Sequence, residues 1–119
     1  MKRKYKKLMG DIELINLTSH EITIVGEQGE TVKTIEPCGT VARLKTSVTS
    51  AGEILGVKLS ATIVVQVIGL PEFEAGKFYI VSQWVKNSSL CRERVDLLVP
   101  TEMVRSEKGE VLGCKSLGI

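Results

Sequence analysis

Histidine, paired cysteines, aromatics and long apolar runs are all scarce in this sequence, and each shortage removes a class of function. His20 is the single histidine among 119 residues, whereas most hydrolytic mechanisms rely on a base that titrates near neutrality. The GxSxG, HExxH, P-loop and GxGxxG motifs are all missing, so no nucleophile elbow, metalloprotease helix or phosphate-cradling loop is signalled. The expectation is a protein that is not an enzyme. Cys38, Cys91 and Cys114 are odd in number and far apart, with no CxxC pair, which argues against a disulfide framework and a zinc site. One histidine and scattered cysteines supply too few metal ligands unless carboxylates converge on them, so neither a metal nor another cofactor is expected. Reduced thiols in a cytoplasm fit this pattern.

A membrane segment is not expected either. Leu8, Met9, Gly10 and Asp11 fall short of the apolar core of about 7 to 15 residues that a signal peptide needs. The longest apolar stretch, 61–70, is interrupted by Thr62, Gln66 and Gly69 and is far too short for a spanning helix. Positive charge is confined as well. Sixteen basic residues face fourteen acidic ones, but five of the sixteen (Lys2, Arg3, Lys4, Lys6 and Lys7) lie in the first seven positions. Without them eleven basic residues face fourteen acidic ones, a net of −3. The body therefore lacks the positive field of a phosphate-tracking surface. Residues 1–10 read as a basic flexible tail, in the first place a solvated extension that aids solubility, with weak binding of nucleic acid or another anionic polymer, or of a membrane face, through Lys2 to Lys7 as the alternatives.

What the chain has in quantity is β-branched side chains: isoleucine, valine and threonine fill 33 of 119 positions, and their stiffness suits a pleated surface. From Ile12 onward short apolar stretches are broken by Gly, Pro, Asn or Ser, the rhythm of successive strands. Strands are predicted at 12–16, 21–25, 31–36, 40–45, 54–59, 62–68, 77–83, 95–99 and 110–117. Residues 47–52 read as a loop, Pro100 as a stop, and 106–109 as a hairpin turn. The run 62–68 has apolar residues on both faces and reads as the central strand. Residues 11–119 are thus expected to form one mainly β, small antiparallel sheet or barrel-like domain with one short helix near 82–91, the runner-up being α+β. Lys33, Lys45, Lys58 and Lys77 are candidates to guard sheet edges, with self-association the other way of closing them.

Candidate binding residues cluster in three places. Thr18 and His20 lie in a predicted turn, where such side chains commonly bond local backbone but also offer donors and acceptors to a ligand. Four of the five aromatics, Phe73, Phe78, Tyr79 and Trp84, fall within twelve residues. Core packing accounts for such a cluster, and Trp84 or Tyr79 can instead stack on a base or anchor a partner. Arg94 follows closely, and Arg43 and Arg105 join it only if the fold brings separate segments together; acidic Glu93 and Asp96 nearby favour a salt-bridged face.

With these residues in view, the chain from about Leu14 to Leu117 resembles a family of small, uncharacterised phage and bacterial proteins. The shared pieces are Ile15-Asn16-Leu17-Thr18-Ser19-His20, Pro37-Cys38-Gly39-Thr40-Val41-Ala42-Arg43, Gly69-Leu70-Pro71, Tyr79-Ile80-Val81-Ser82, Arg94-Val95-Asp96-Leu97-Leu98-Val99-Pro100, Val104-Arg105 and Gly113-Cys114. Ser19 stands where the family commonly has proline, and the basic tail lies outside the pattern. The resemblance implies a cytoplasmic protein of a bacterium or phage-infected cell.

Two functions are expected from these readings. The first is a non-enzymatic binder of a small anionic ligand such as a nucleotide, in the manner of a phage-encoded sponge for a nucleotide immune signal. Arg43, Arg94 and Arg105 would meet phosphates, Thr18, His20 and Ser82 the ribose or base, and Tyr79 or Trp84 would stack. At least two of the arginines should then converge, if necessary across the interface of a homo-oligomer. The alternative is a protein-interaction module, either an inhibitor of a host protein or a phage structural accessory, with an exposed patch around Phe73 to Trp84.

Overall fold

The computed structural model describes residues 12–119. The basic tail, and with it the expectation of nucleic-acid binding through Lys2 to Lys7, lies outside them. Among the described residues the protein is mainly β with one short helix, as the composition predicts. In chain order the strands are β1 (Glu13–Asn16), β2 (Ile22–Val25), β3 (Thr31–Ile35), β4 (Arg43–Ile54), β5 (Val57–Ile68), β6 (Lys77–Ile80), β7 (Leu97–Arg105) and β8 (Val111–Gly118). A one-turn helix α1 (Gln83–Lys86) and a 3-10 turn (Ser89–Cys91) link β6 to β7. No helix among these residues is long and apolar enough to cross a membrane.

Six strands form one sheet in the order β1-β6-β7-β8-β2-β3, and β4 and β5 pair only with each other. The antiparallel expectation holds for β2–β3, β7–β8 and β4–β5. The β1–β6, β6–β7 and β8–β2 pairs are parallel, so the large sheet is mixed. Its two ends meet at one point: Asn16 at the end of β1 bridges to Pro37, just past β3, and the Cys38 amide donates to the Asn16 carbonyl at 3.0 Å. That contact gives the sheet its barrel-like closure.

Asn16 holds this closure with its side chain as well. It is 1% exposed, and its Nδ2 donates to the carbonyls of Ile35 at 3.0 Å and His20 at 2.8 Å. Its Oδ1 accepts from the Thr18 amide at 2.9 Å and the Thr18 hydroxyl at 2.6 Å. Both donors and both lone pairs of the amide are thereby satisfied in a buried site. The core behind it is built on Leu17, Tyr79, Val81, Val85, Leu97 and Val99.

Three local expectations need correcting. Residues 47–52 are not a loop: β4 runs through them, because serine and threonine sit readily on an exposed strand face and Gly52 occupies a bulge. The run 62–68 is not the central strand but half of β5, whose neighbour is β4 alone. Strand β7 does not stop at Pro100. The β6 pairing ends at Leu98, and alternation turns the Pro100 nitrogen toward that vacated flank, where no ladder bond is lost. Of the four lysines considered as edge guards, Lys33, Lys45 and Lys58 lie on edge strands. Lys77 lies on the inner strand β6 and pairs with Glu74 at 2.8 Å.

The β4–β5 pair is an arm. Each strand is twelve residues long, a reach of about 40 Å at roughly 3.3 Å per residue. The Cα radius of gyration is 18.3 Å, against about 13 Å for a compact chain of this length. At the arm's root Gly69 has φ +80°, and a Cβ there would come within 2.6 Å of the Val41 carbonyl oxygen. Only glycine lets the returning strand pass this close to the outgoing one.

Candidate functional site

The arm root, the turn after β1 and the start of α1 enclose a cleft of about 470 Å³. Its floor is apolar, from Leu17, Ala42 and Val85, and its rim carries Thr18, His20, Arg43, Ser82 and Trp84. Five of the eight residues singled out from sequence therefore meet at one place, although they come from three separated segments.

Local chemistry explains each position. Residues 17–20 are folded back by Asn16, and the Thr18 hydroxyl is engaged inward by the Asn16 amide and the His20 carbonyl. Thr18 thus shapes the cleft wall rather than presenting a free hydroxyl, and His20 stands exposed beyond it. Ser82 is the N-cap of α1, its oxygen accepting from the Val85 amide at 3.3 Å, which leaves its own O–H to donate outward. Trp84, two residues on, is 81% exposed. The next residue, Val85, is buried in the core, so α1 turns valine inward and the indole outward. Arg43 opens β4 at the arm root, is exposed, and has no ion-pair partner among the described residues.

The other three candidates lie elsewhere. Tyr79 is 2% exposed within the core and borders a different pocket beside Cys38 and Phe73. Arg94 grips Asp96 with both arms of its guanidinium, Nε to Oδ1 at 2.9 Å and Nη2 to Oδ2 at 2.8 Å. Asp96 is 1% exposed, so this pair is a structural tie within the segment that joins the 3-10 turn to β7. The hydrogen bonds it donates to the Asp96 carboxylate raise the Arg94 pKa above its ordinary value, against the opposing effect of burial. Arg105 donates to the Gly109 carbonyl at 3.0 Å and braces the β7–β8 turn. Within one chain the three arginines do not converge, because Arg94 is held by Asp96 and Arg105 by the Gly109 carbonyl, each within its own stretch of chain.

Sequence reasoning missed Leu44 and Thr46 of the lining. Both belong to the arm root, and nothing in a single strand's pattern tells which face of β4 leans on the body. Leu44 and Trp84 also border a second cleft of about 500 Å³, reached through Val64, Gln83 and Ser88, so the indole forms a ridge between two hollows. Phe73 is exposed but lies at the Tyr79 pocket rather than beside Trp84, which divides the expected aromatic patch in two. Burial pushes the thiols of Cys91 and Cys114 above their ordinary pKa, the setting of packing cysteines rather than reactive ones. No cluster of three metal-ligating side chains occurs among the described residues. No family model, curated protein or solved structure matches the chain.

Proposed function

We propose that the protein is a non-enzymatic binder of a small anionic ligand bearing a planar ring, such as a nucleotide, and that the cleft beneath Trp84 is its site. The observation that carries this reading is the meeting of Arg43, His20, Ser82 and Trp84 around one apolar floor. An exposed indole offers a stacking face. An unpaired guanidinium offers a forked donor for phosphate. The Ser82 hydroxyl and the His20 imidazole add directional contacts, and the cleft volume lies within the range of ligand sites. Together with the resemblance to phage and bacterial proteins, this supports a cytoplasmic sponge that holds a nucleotide signal out of solution. The exposed arm favours a second reading, a protein-interaction module, on a different surface.

A thermal-shift panel of linear and cyclic nucleotides tests the ligand reading. At a ligand concentration about a hundred times Kd, binding adds about 2.7 kcal/mol and raises Tm by about 10 °C. Arg43→Ala, on an exposed residue, is expected to melt like the parent and to lose that rise. A panel with no shift at millimolar concentration contradicts the reading.

A further inference from the structure

A ligand with one planar ring leaves the second cleft without a use. That cleft matches the first in size, about 500 Å³ against 470 Å³, and shares only Leu44 and Trp84 with it. The helix sets the two apart. At about 100° per residue, Trp84 projects between the side of α1 that carries Val85 and the side that carries Gln83 and continues into the C-cap Asn87. Val85 lines the first hollow, and Gln83 and Asn87 line the second. With Trp84 81% exposed, both faces of the indole are open, one toward each hollow.

The second hollow has recognition groups of its own. Gln83 Nε2 donates to Asn87 Oδ1 at 3.1 Å, which leaves the Gln83 carbonyl oxygen to accept and the Asn87 amide nitrogen to donate. An acceptor and a donor coupled in this way complement a base with an amino group beside a ring nitrogen, as adenine has in N6 and N7. Charge is distributed differently. Arg43 borders the first hollow, whereas the lining of the second carries no charged side chain. A base therefore finds contacts on both sides of the indole, and a phosphate on one.

We infer that the ligand carries two bases joined through phosphate and that Trp84 enters between them, with an adenine held by Gln83 and Asn87 in the second hollow. The inference rests on the ligand reading above and names the class of nucleotide. Spacing selects that class. Aromatic carbon surfaces pack at about 3.5 Å, so bases on the two faces of one indole lie about 7 Å apart. Neighbouring bases of a strand stack at about 3.4 Å, and side chains that wedge into such a step unstack it. Doubling the step admits one ring. A mononucleotide leaves one indole face and the Gln83–Asn87 pair unused.

Isothermal titration calorimetry of the full chain with AMP, linear diadenylate, cyclic diadenylate and a pyrophosphate-linked diadenosine is the test. At least one of the two-base ligands is expected to bind one per chain and roughly tenfold to a hundredfold tighter than AMP, the worth of a second stacked base. The tightest of the three reports the linkage. Gln83→Ala with Asn87→Ala, both at exposed positions, should reduce that preference about tenfold. Val64→Phe, which fills the second hollow from the arm, should reduce it without altering α1. Two-base ligands that bind no tighter than AMP overturn the inference and leave the ligand reading standing, as do folded variants that keep the parent's preference. Failure of all four to bind also overturns it, and the ligand reading is then decided by the full nucleotide panel.

Discussion

Replacing Arg94 with alanine is expected to lower folding stability by about 3–5 kcal/mol, a fall in Tm of roughly 10–20 °C. The physical cause is the partner left behind. Asp96 is buried, and its carboxylate is held by the two parallel bonds from Arg94, so alanine strands a charge where water cannot compensate it. Arg94→Lys should recover only part of the loss, since a point charge cannot reproduce the fork. Asp96→Asn should be milder than Arg94→Ala, because the amide carries no charge to be stranded. The raised guanidinium pKa means the contribution is present below the unfolded-state value and is lost only as pH climbs through the still higher folded-state value. The pair should therefore hold through any neutral or mildly alkaline buffer. Urea unfolding of the three variants separates these effects. Parent-like stability for Arg94→Ala would mean that the arginine is free to serve a ligand after all.

Asn16→Leu is expected to cost a similar amount, about 3–5 kcal/mol, from the loss of all four hydrogen bonds of a buried amide. The carbonyl of Ile35 and the amide of Thr18 would lose the Asn16 partner that the fold gives them. Asn16→Asp is the sharper probe. It keeps the shape and the acceptor toward Thr18 but turns an oxygen toward two carbonyls. A carboxyl placed there is favoured in its neutral form, so its pKa is raised on folding. Its contribution is then fully present below the unfolded pKa and fades as pH rises through the folded one. The Asn16→Asp protein should thus gain stability relative to the parent on acidification. Because Asn16 also holds the His20 carbonyl, both variants should loosen the cleft wall and weaken ligand binding along with the fold.

The parts of the fold that could be read from sequence are those set by local chemistry. The β-branched bias gave strands, and the short helix expected near 82–91 is the one turn Gln83–Lys86, whose N-cap is Ser82. The turn at 106–109 was equally legible. What the pattern could not supply was cover. Apolar residues on both faces of 62–68 look the same whether the faces meet a core or a second molecule, and the difference lies in what other segments do. Parallel pairing likewise depends on long connections that no local signal records.

The candidate site follows the same division. Thr18, His20, Arg43, Ser82 and Trp84 stood out as polar or aromatic residues at turns and strand ends, and those positions do border one cleft. Arg94 and Arg105 had the same appearance in sequence, yet a carboxylate two residues away engages one and a carbonyl four residues away engages the other. The spacing of Arg94 and Asp96 was the available signal, since a bidentate partner so close competes with any ligand. Tyr79 was open in sequence to both core packing and stacking on a ligand, and burial gives it the first role.

The most direct test of the binding site is the fluorescence of Trp84, the sole tryptophan in the sequence and an exposed one. A nucleotide that stacks in the cleft should quench this emission saturably, at a stoichiometry of one ligand per cleft, and Arg43→Ala should shift the titration to much higher concentration without altering the unliganded spectrum. Emission that stays unchanged across linear and cyclic nucleotides at millimolar concentration, in a protein that melts cooperatively, would contradict a ligand site beneath Trp84.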